Sequence, residues 1–183
     1  MGRPATFIRL AGCNLNCDGC DTQLKSWDEV PCVALLDRIE SKRTVITGGE
    51  PTQQMEGLLE LIDLSREKGI EIHIETNGTN QIPEASLRKV HYAVVSPKRG
   101  SLVDFGFWAS KKNVHFKFVI GPADWCWPPE ILEAHAQLLP RNRFWIMPLG
   151  KDSNLPLARE AWDLAIRLGV NYSDRLHVRL MKR

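Results

Sequence analysis

The sequence predicts an α/β fold on a parallel sheet, in the form of an incomplete TIM-type barrel of about six βα units, open along one side. Three observations lead there. Short β-rich apolar runs alternate with longer amphipathic ones, the pattern of parallel strands joined by helical crossovers. The 183 residues fall short of the roughly 250 that a closed eightfold barrel usually takes. Polar or glycine-rich turns recur at the ends of successive strands, where parallel α/β folds place their ligand crevice. A doubly wound open sheet is the main structural rival.

In chain order, the expected strands are Thr6–Leu10, Thr44–Thr47, Ile70–Ile74, Tyr92–Val95, His115–Ile120, Phe144–Met147 and Leu176–Leu180. Cys32–Ile39 reads as a helix because Val33, Leu35, Leu36 and Ile39 recur behind Pro31, a good first-turn residue. Met55–Lys68 carries Leu58, Leu59, Leu61, Ile62 and Leu64, and Gly69 stands where a helix stops. The connection Pro83–Lys89 holds at most a short helix, whereas Pro129–Leu139 and Leu155–Leu168 are full ones. A single domain over residues 1–183 accommodates all of these, with enough chain for a real core.

Bulk composition narrows the function classes. With 43% hydrophobic and 25% charged residues, neither disorder nor a membrane span is indicated. A net charge of +2 is too small to argue for nucleic acid. No targeting segment is visible, and the cysteine usage suits reduced thiols, so a cytoplasmic setting is expected.

The chemistry concentrates in Gly12-Cys13-Asn14-Leu15-Asn16-Cys17-Asp18-Gly19-Cys20-Asp21-Thr22. Cys13, Cys17 and Cys20 have the spacing C-x3-C-x2-C, so three thiolates on one loop can converge on one inorganic centre. Thiolates hold iron–sulfur clusters, and three of them on a four-iron cluster leave one iron open to a small molecule. A structural zinc site usually takes four protein ligands, yet Cys32 and Cys126 are isolated and no histidine precedes His73. Disulfides need a secreted setting and an even count, against five cysteines here. Zinc and disulfides thus remain the lesser readings. Around this loop stand the turns Gly48-Gly49-Glu50-Pro51, Glu75-Thr76-Asn77-Gly78, Ser96-Pro97-Lys98 and Pro148-Leu149-Gly150, each after a predicted strand. Singly, each reads as an ordinary turn. Their shared position at strand ends makes them one continuous site, and a Gly-Gly pair lets backbone approach a ligand closely.

The cysteine spacing followed by Gly48-Gly49-Glu50-Pro51 resembles radical S-adenosylmethionine enzymes. The ordered set Arg3–Leu15, Cys20-Asp21-Thr22, Glu75-Thr76-Asn77-Gly78, Ser96-Pro97-Lys98, Phe116-Lys117-Phe118-Val119 and Tyr172–His177 is similar to the 7-carboxy-7-deazaguanine synthases, over nearly the whole chain. The resemblance implies an incomplete barrel, a homodimer, a [4Fe–4S] cluster, S-adenosylmethionine and Mg²⁺. It also implies a flavodoxin- or ferredoxin-type electron donor. The implied reaction converts 6-carboxy-5,6,7,8-tetrahydropterin to 7-carboxy-7-deazaguanine with loss of ammonia, a step toward queuosine and other 7-deazapurines. On this resemblance Cys13, Cys17 and Cys20 hold the cluster, and Gly48, Gly49, Glu50, Asn77, Ser96 and Lys98 contact S-adenosylmethionine. Thr22 supplies an oxygen to Mg²⁺, a hard cation suited to oxygen ligands. Arg9, Glu75 and His177 face the pterin, Arg9 through a carboxylate and Glu75 through the amino-pyrimidinone edge.

Three departures from that pattern stand out. An N-terminal segment with a Gln-Gly-Glu-Gly run that helps hold substrate is usual there, and is expected to be absent before Met1-Gly2-Arg3-Pro4. A Trp-Gly-containing tail is common where this sequence ends in Leu180-Met181-Lys182-Arg183. Gly19 precedes the third cysteine, where many radical enzymes have an aromatic residue against adenine. Two other functions stay open on the sequence: a glycyl-radical-type activase acting on a protein, and a truncated, non-catalytic cofactor-binding paralogue.

Overall fold

The structure, a computed structural model, describes residues 3–20, 22, 27–150 and 155–175. Seven strands form one parallel sheet: β1 (Thr6–Leu10), β2 (Arg43–Gly48), β3 (Glu71–Thr76), β4 (Tyr92–Val95), β5 (Val114–Ile120), β6 (Phe144–Pro148) and β7 (Asn171–Tyr172). Their order in the sheet is their order in the chain. A doubly wound sheet reverses direction at a switch point; this one never does, so that rival falls. Between the strands lie α1 (Cys32–Leu36), α2 (Met55–Glu67), α3 (Glu84–Leu87), α4 (Phe105–Ala109), α5 (Pro129–Leu138) and α6 (Leu155–Leu168). The sheet does not close, since β1 pairs only with β2 and β7 only with β6 among the described residues. Six strand–helix crossovers ending in a short strand make an open, partial barrel of TIM type.

The two faces of the sheet have different chemistry. Ile8, Ile46, Ile72, Ile74, Ala93, Val95, Val114, Phe116, Phe118, Phe144 and Ile146 point one way and are buried in the core the helices cover. The residues between them point the other way: Arg9 and Tyr92 are exposed, and His73, Glu75, His115, Lys117 and Trp145 are half-buried. Strands covered on both faces read as unbroken apolar runs. Here the strands alternate in sequence because one face is left open.

Several details differ from the sequence expectation, among them the third strand, which runs Glu71–Thr76 rather than Ile70–Ile74 and so takes in Glu75 and Thr76. The first helix ends at Leu36, not Ile39. A further helix, α4, begins at Asp104, whose carboxylate accepts from the Phe107 N–H at 2.8 Å. The last strand among the described residues is the two-residue β7, while the expected strand Leu176–Leu180, with His177, lies outside them. No helix among the described residues is long and apolar enough to cross a membrane.

Trp108 on α4 is fully buried, and its indole N–H donates to the Gly78 carbonyl at 3.0 Å. It thereby ties the helical layer to the turn after β3. Trp108→Ala should lower unfolding free energy by about 3–5 kcal/mol, the usual cost of emptying so large a site. Urea unfolding checks this: the midpoint falls while the slope stays.

Candidate active site at the strand ends

The loop after β1 carries Cys13, Cys17 and Cys20, all free thiols, the first exposed and the others half-buried. The Cys20 N–H donates to the Cys17 carbonyl at 3.2 Å, and the Leu15 N–H to Cys13 Sγ at 3.4 Å. Burial pushes the Cys17 thiol up, with Cys20 and Cys13 adding to the effect and Lys98 opposing it. The thiols therefore sit within each other's field. Among the described residues no three His, Cys, Asp or Glu side chains are gathered closely enough to close a metal site.

What fixes this loop is a set of bonds from later loops to its backbone. The Gly49 N–H donates to the Leu10 carbonyl at 2.8 Å and the Glu50 N–H to the Gly12 carbonyl at 2.7 Å. Gln54 Nε2 donates to the Ala11 carbonyl at 2.8 Å, and Trp125 Nε1 to the Asp18 carbonyl at 2.7 Å. The glycine pair has a steric reason to be there. A Cβ on Gly48 would lie 2.2 Å from Leu10 O, at a φ of +126°, and one on Gly49 would lie 1.8 Å from Gly12 O. The missing side chains make room for the cysteine loop's own backbone.

Glu50 has no exposed surface. Its Oε1 accepts from Thr52 N (3.1 Å), Thr52 Oγ1 (2.7 Å) and Thr76 Oγ1 (2.6 Å), and its Oε2 from Asn77 N (2.6 Å). The resemblance implies that Glu50 contacts S-adenosylmethionine; among the described residues its Oε1 takes three donors and its Oε2 one, from two neighbouring turns. Asn77 continues the bracket. Its Nδ2 donates to Asn14 Oδ1 at 2.9 Å, its Oδ1 accepts from Thr79 N and Oγ1, and Asn14 Nδ2 donates back to Thr79 Oγ1 at 2.8 Å.

Ser96 and Lys98 follow β4. The Ser96 N–H donates to the Thr76 carbonyl at 2.7 Å, and Lys98 Nζ donates to Ser96 O (2.7 Å) and Oγ (3.0 Å), 5.3 Å from the Trp125 ring centre. Burial pulls the Lys98 ammonium below its usual range, and Lys117 adds to this, while Cys17, Glu75 and Cys20 oppose it. Lys98 thus lies between the cysteine loop and the open face. On that face Lys117 Nζ meets Glu75 Oε1 at 2.9 Å. This ammonium, with smaller help from Lys98 and Arg9, holds the Glu75 carboxyl below the usual carboxylate range. Arg9 is exposed, with no ion pair among the described residues. Thr22 is half-buried, and His177 lies outside the described residues.

Of the residues expected from sequence, Gly48, Gly49, Glu50 and Asn77 form one bonded unit with the cysteine loop, and Ser96 joins it through Thr76. Thr79, Gln54 and Trp125 were missed as parts of it, Asn14 and Thr76 stood there only within their segments, and Lys117, which bonds Glu75 on the open face, was missed beside it. Asn14 between two cysteines and Lys117 between two phenylalanines were the only available hints.

An open, partial barrel with a cysteine loop pinned across the carboxyl ends of its strands defines the class: a partial-barrel protein whose chemistry sits in that crevice. No family model matches the chain. The chain is 36% identical to 7-carboxy-7-deazaguanine synthase of Pyrobaculum aerophilum, over 97% of its length and 86% of the relative's. It is 34% identical to that of Hyperthermus butylicus (97% and 84%) and 31% to that of Rhodopirellula baltica (97% and 79%). The chain belongs to the 7-carboxy-7-deazaguanine synthase family.

Two variants test the bracket. Glu50→Gln turns an acceptor into a donor facing donors, and should destabilise by about 2–3 kcal/mol, as lost bonds to a buried charge do. Amide exchange should quicken most at residues 76–79. Gly49→Val should displace the cysteine loop while far-ultraviolet circular dichroism keeps the sheet signal; full iron uptake by this variant would contradict the steric account.

Proposed function

We propose that this protein catalyses the radical ring contraction of 6-carboxy-5,6,7,8-tetrahydropterin to 7-carboxy-7-deazaguanine, with release of ammonia. The observation that carries this reading is the three-cysteine loop, clamped over an open face that bears Arg9, Glu75 and Lys117. Relatives of that name matching 97% of the chain support it. The activase and non-catalytic readings find no support in those relatives.

The residue types suit the implied groups, while the three thiols are not gathered on one point in the structure. Cys13, Cys17 and Cys20 are free, soft ligands on one loop, with no histidine beside them, which suits a [4Fe–4S] cluster with one open iron. When bound, the cluster and S-adenosylmethionine supply reductive cleavage of a sulfonium bond to give a carbon radical. The protein's share is placement and exclusion of water. Gly48 and Gly49 let the second turn lie against the cysteine loop, and Glu50 and Asn77 lock that arrangement. Ser96 and Lys98 present a hydroxyl and an ammonium beside the cysteines. Thr22, two residues past Cys20, would supply an oxygen to hold Mg²⁺. Arg9 and Glu75 face the substrate, Glu75 as an ionised acceptor, and His177 is assigned to its far side. The same reading carries a homodimer, a cytoplasmic setting and a flavodoxin- or ferredoxin-type donor, with 7-deazapurines such as queuosine downstream.

An anaerobic assay with reconstituted protein, S-adenosylmethionine, Mg²⁺ and the carboxy-tetrahydropterin tests the reading. Product and ammonia should form in equal amounts. Ala at Cys13, Cys17 or Cys20 should abolish cluster absorption, whereas Cys32→Ala and Cys126→Ala should not. Thr22→Val should cut Mg²⁺-dependent turnover on the order of 10²-fold, as misplacing a reacting group does, while cofactor binding persists. Absence of product from the reconstituted protein with its cluster intact would overturn the reading.

A further inference from the structure

Glu75 and Lys117 come from β3 and β5 and meet across β4 on the open face of the sheet. Neither group is fully used. A lysine ammonium has three N–H donors, and Lys117 places one on Glu75 Oε1 at 2.9 Å. Among the described residues its other two donors meet no acceptor, and Glu75 Oε2 meets no donor. The Lys117 side chain is only 14% exposed, against 38% for Glu75. Arg9 and Lys98, the other charges acting on Glu75, are both cationic, and His73, further down β3, is paired with Glu71. The pair therefore carries donor and acceptor capacity that no described protein group uses, on the open face of the sheet.

We propose that Lys117 is a specificity-determining residue of this site, reading a lactam edge together with Glu75. In that pairing Nζ donates to the ring carbonyl oxygen, and Glu75 Oε2 accepts from the adjacent ring N–H or amine. The proposal rests on the pterin reading above, whose amino-pyrimidinone edge offers a carbonyl oxygen, a ring N–H and an amine in sequence. A 4-amino analogue puts an amine where the carbonyl oxygen stood, so it sets a donor against a donor. Sites that hydrogen-bond one polar group discriminate strongly against a ligand lacking it.

The test is equilibrium binding of two unreactive, fluorescent probes, 6-carboxypterin and 6-carboxy-2,4-diaminopteridine, to the anaerobically reconstituted protein. The parent should prefer the oxo probe, and Lys117→Met should erase at least tenfold of that preference, by loss of the oxo probe alone. Lys117→Arg, which keeps a donor, should restore part of it. Glu75→Gln should weaken both probes. If Lys117→Met does not fold, Glu75→Gln/Lys117→Met leaves neither charge unpaired, and its preference is compared with that of Glu75→Gln alone. Equal loss of both probes in the lysine variant, or no loss, overturns the proposal while leaving the pterin reading in place. Failure of the parent to bind 6-carboxypterin, or unchanged binding in Glu75→Gln, overturns the pterin reading itself.

Discussion

The upper end of the sheet is organised around one buried anion. Glu50 has no contact with solvent, and a carboxylate in that position is tolerable only when donors surround it. Four donors do, from Thr52, Thr76 and Asn77. The turn after β2 thereby becomes rigid with the turn after β3. The same residue's N–H reaches the Gly12 carbonyl, so the bracket extends to the cysteine loop. An amide or a hydroxyl at position 50 lacks the acceptor capacity for this task. The order of the crevice thus starts from a carboxylate bonded to the turns on either side of it.

The open face follows a different rule. Helices cover one side of every strand, and the other side is free to carry charge. Charge placed there is partly desolvated, so it acts at closer to full strength than on a convex surface. Lys117, Glu75, Lys98 and Arg9 are drawn from three strands and a loop, yet each alters the ionisation of another. Residues far apart in the chain become one electrostatic unit because parallel strands in sequential order bring their ends to the same rim.

Strands and the longer helices were legible in the sequence because their apolar periods are local. The alternation Glu71–Thr76 announces a half-covered strand, and Leu58, Leu61 and Ile62 announce the buried face of α2. α4 was not legible, since Phe105, Phe107 and Trp108 with Gly106 between them show no helical period over five residues. The site was half-legible. Cysteine spacing and the turns at strand ends are local signals. The bonds that join them are not: Asn77 to Asn14 spans 63 positions, and Trp125 to Asp18 spans 107. The glycine pair illustrates the difference. Its need for close approach could be read from sequence; that the approaching partner is the protein's own backbone could not.

Those long spans bear on how the protein is made. β1 and the cysteine loop precede the other described elements in the chain, and local crossovers let the sheet grow one unit at a time. The carbonyls of Leu10, Ala11 and Gly12 wait for β2 and the turn behind it, and that of Asp18 waits for the loop after β5. The cysteine loop therefore gains its full set of backbone bonds only once the chain as far as Trp125 is in place. The shape of the thiol loop is thus set in part from 107 positions downstream, where Trp125 meets the Asp18 carbonyl.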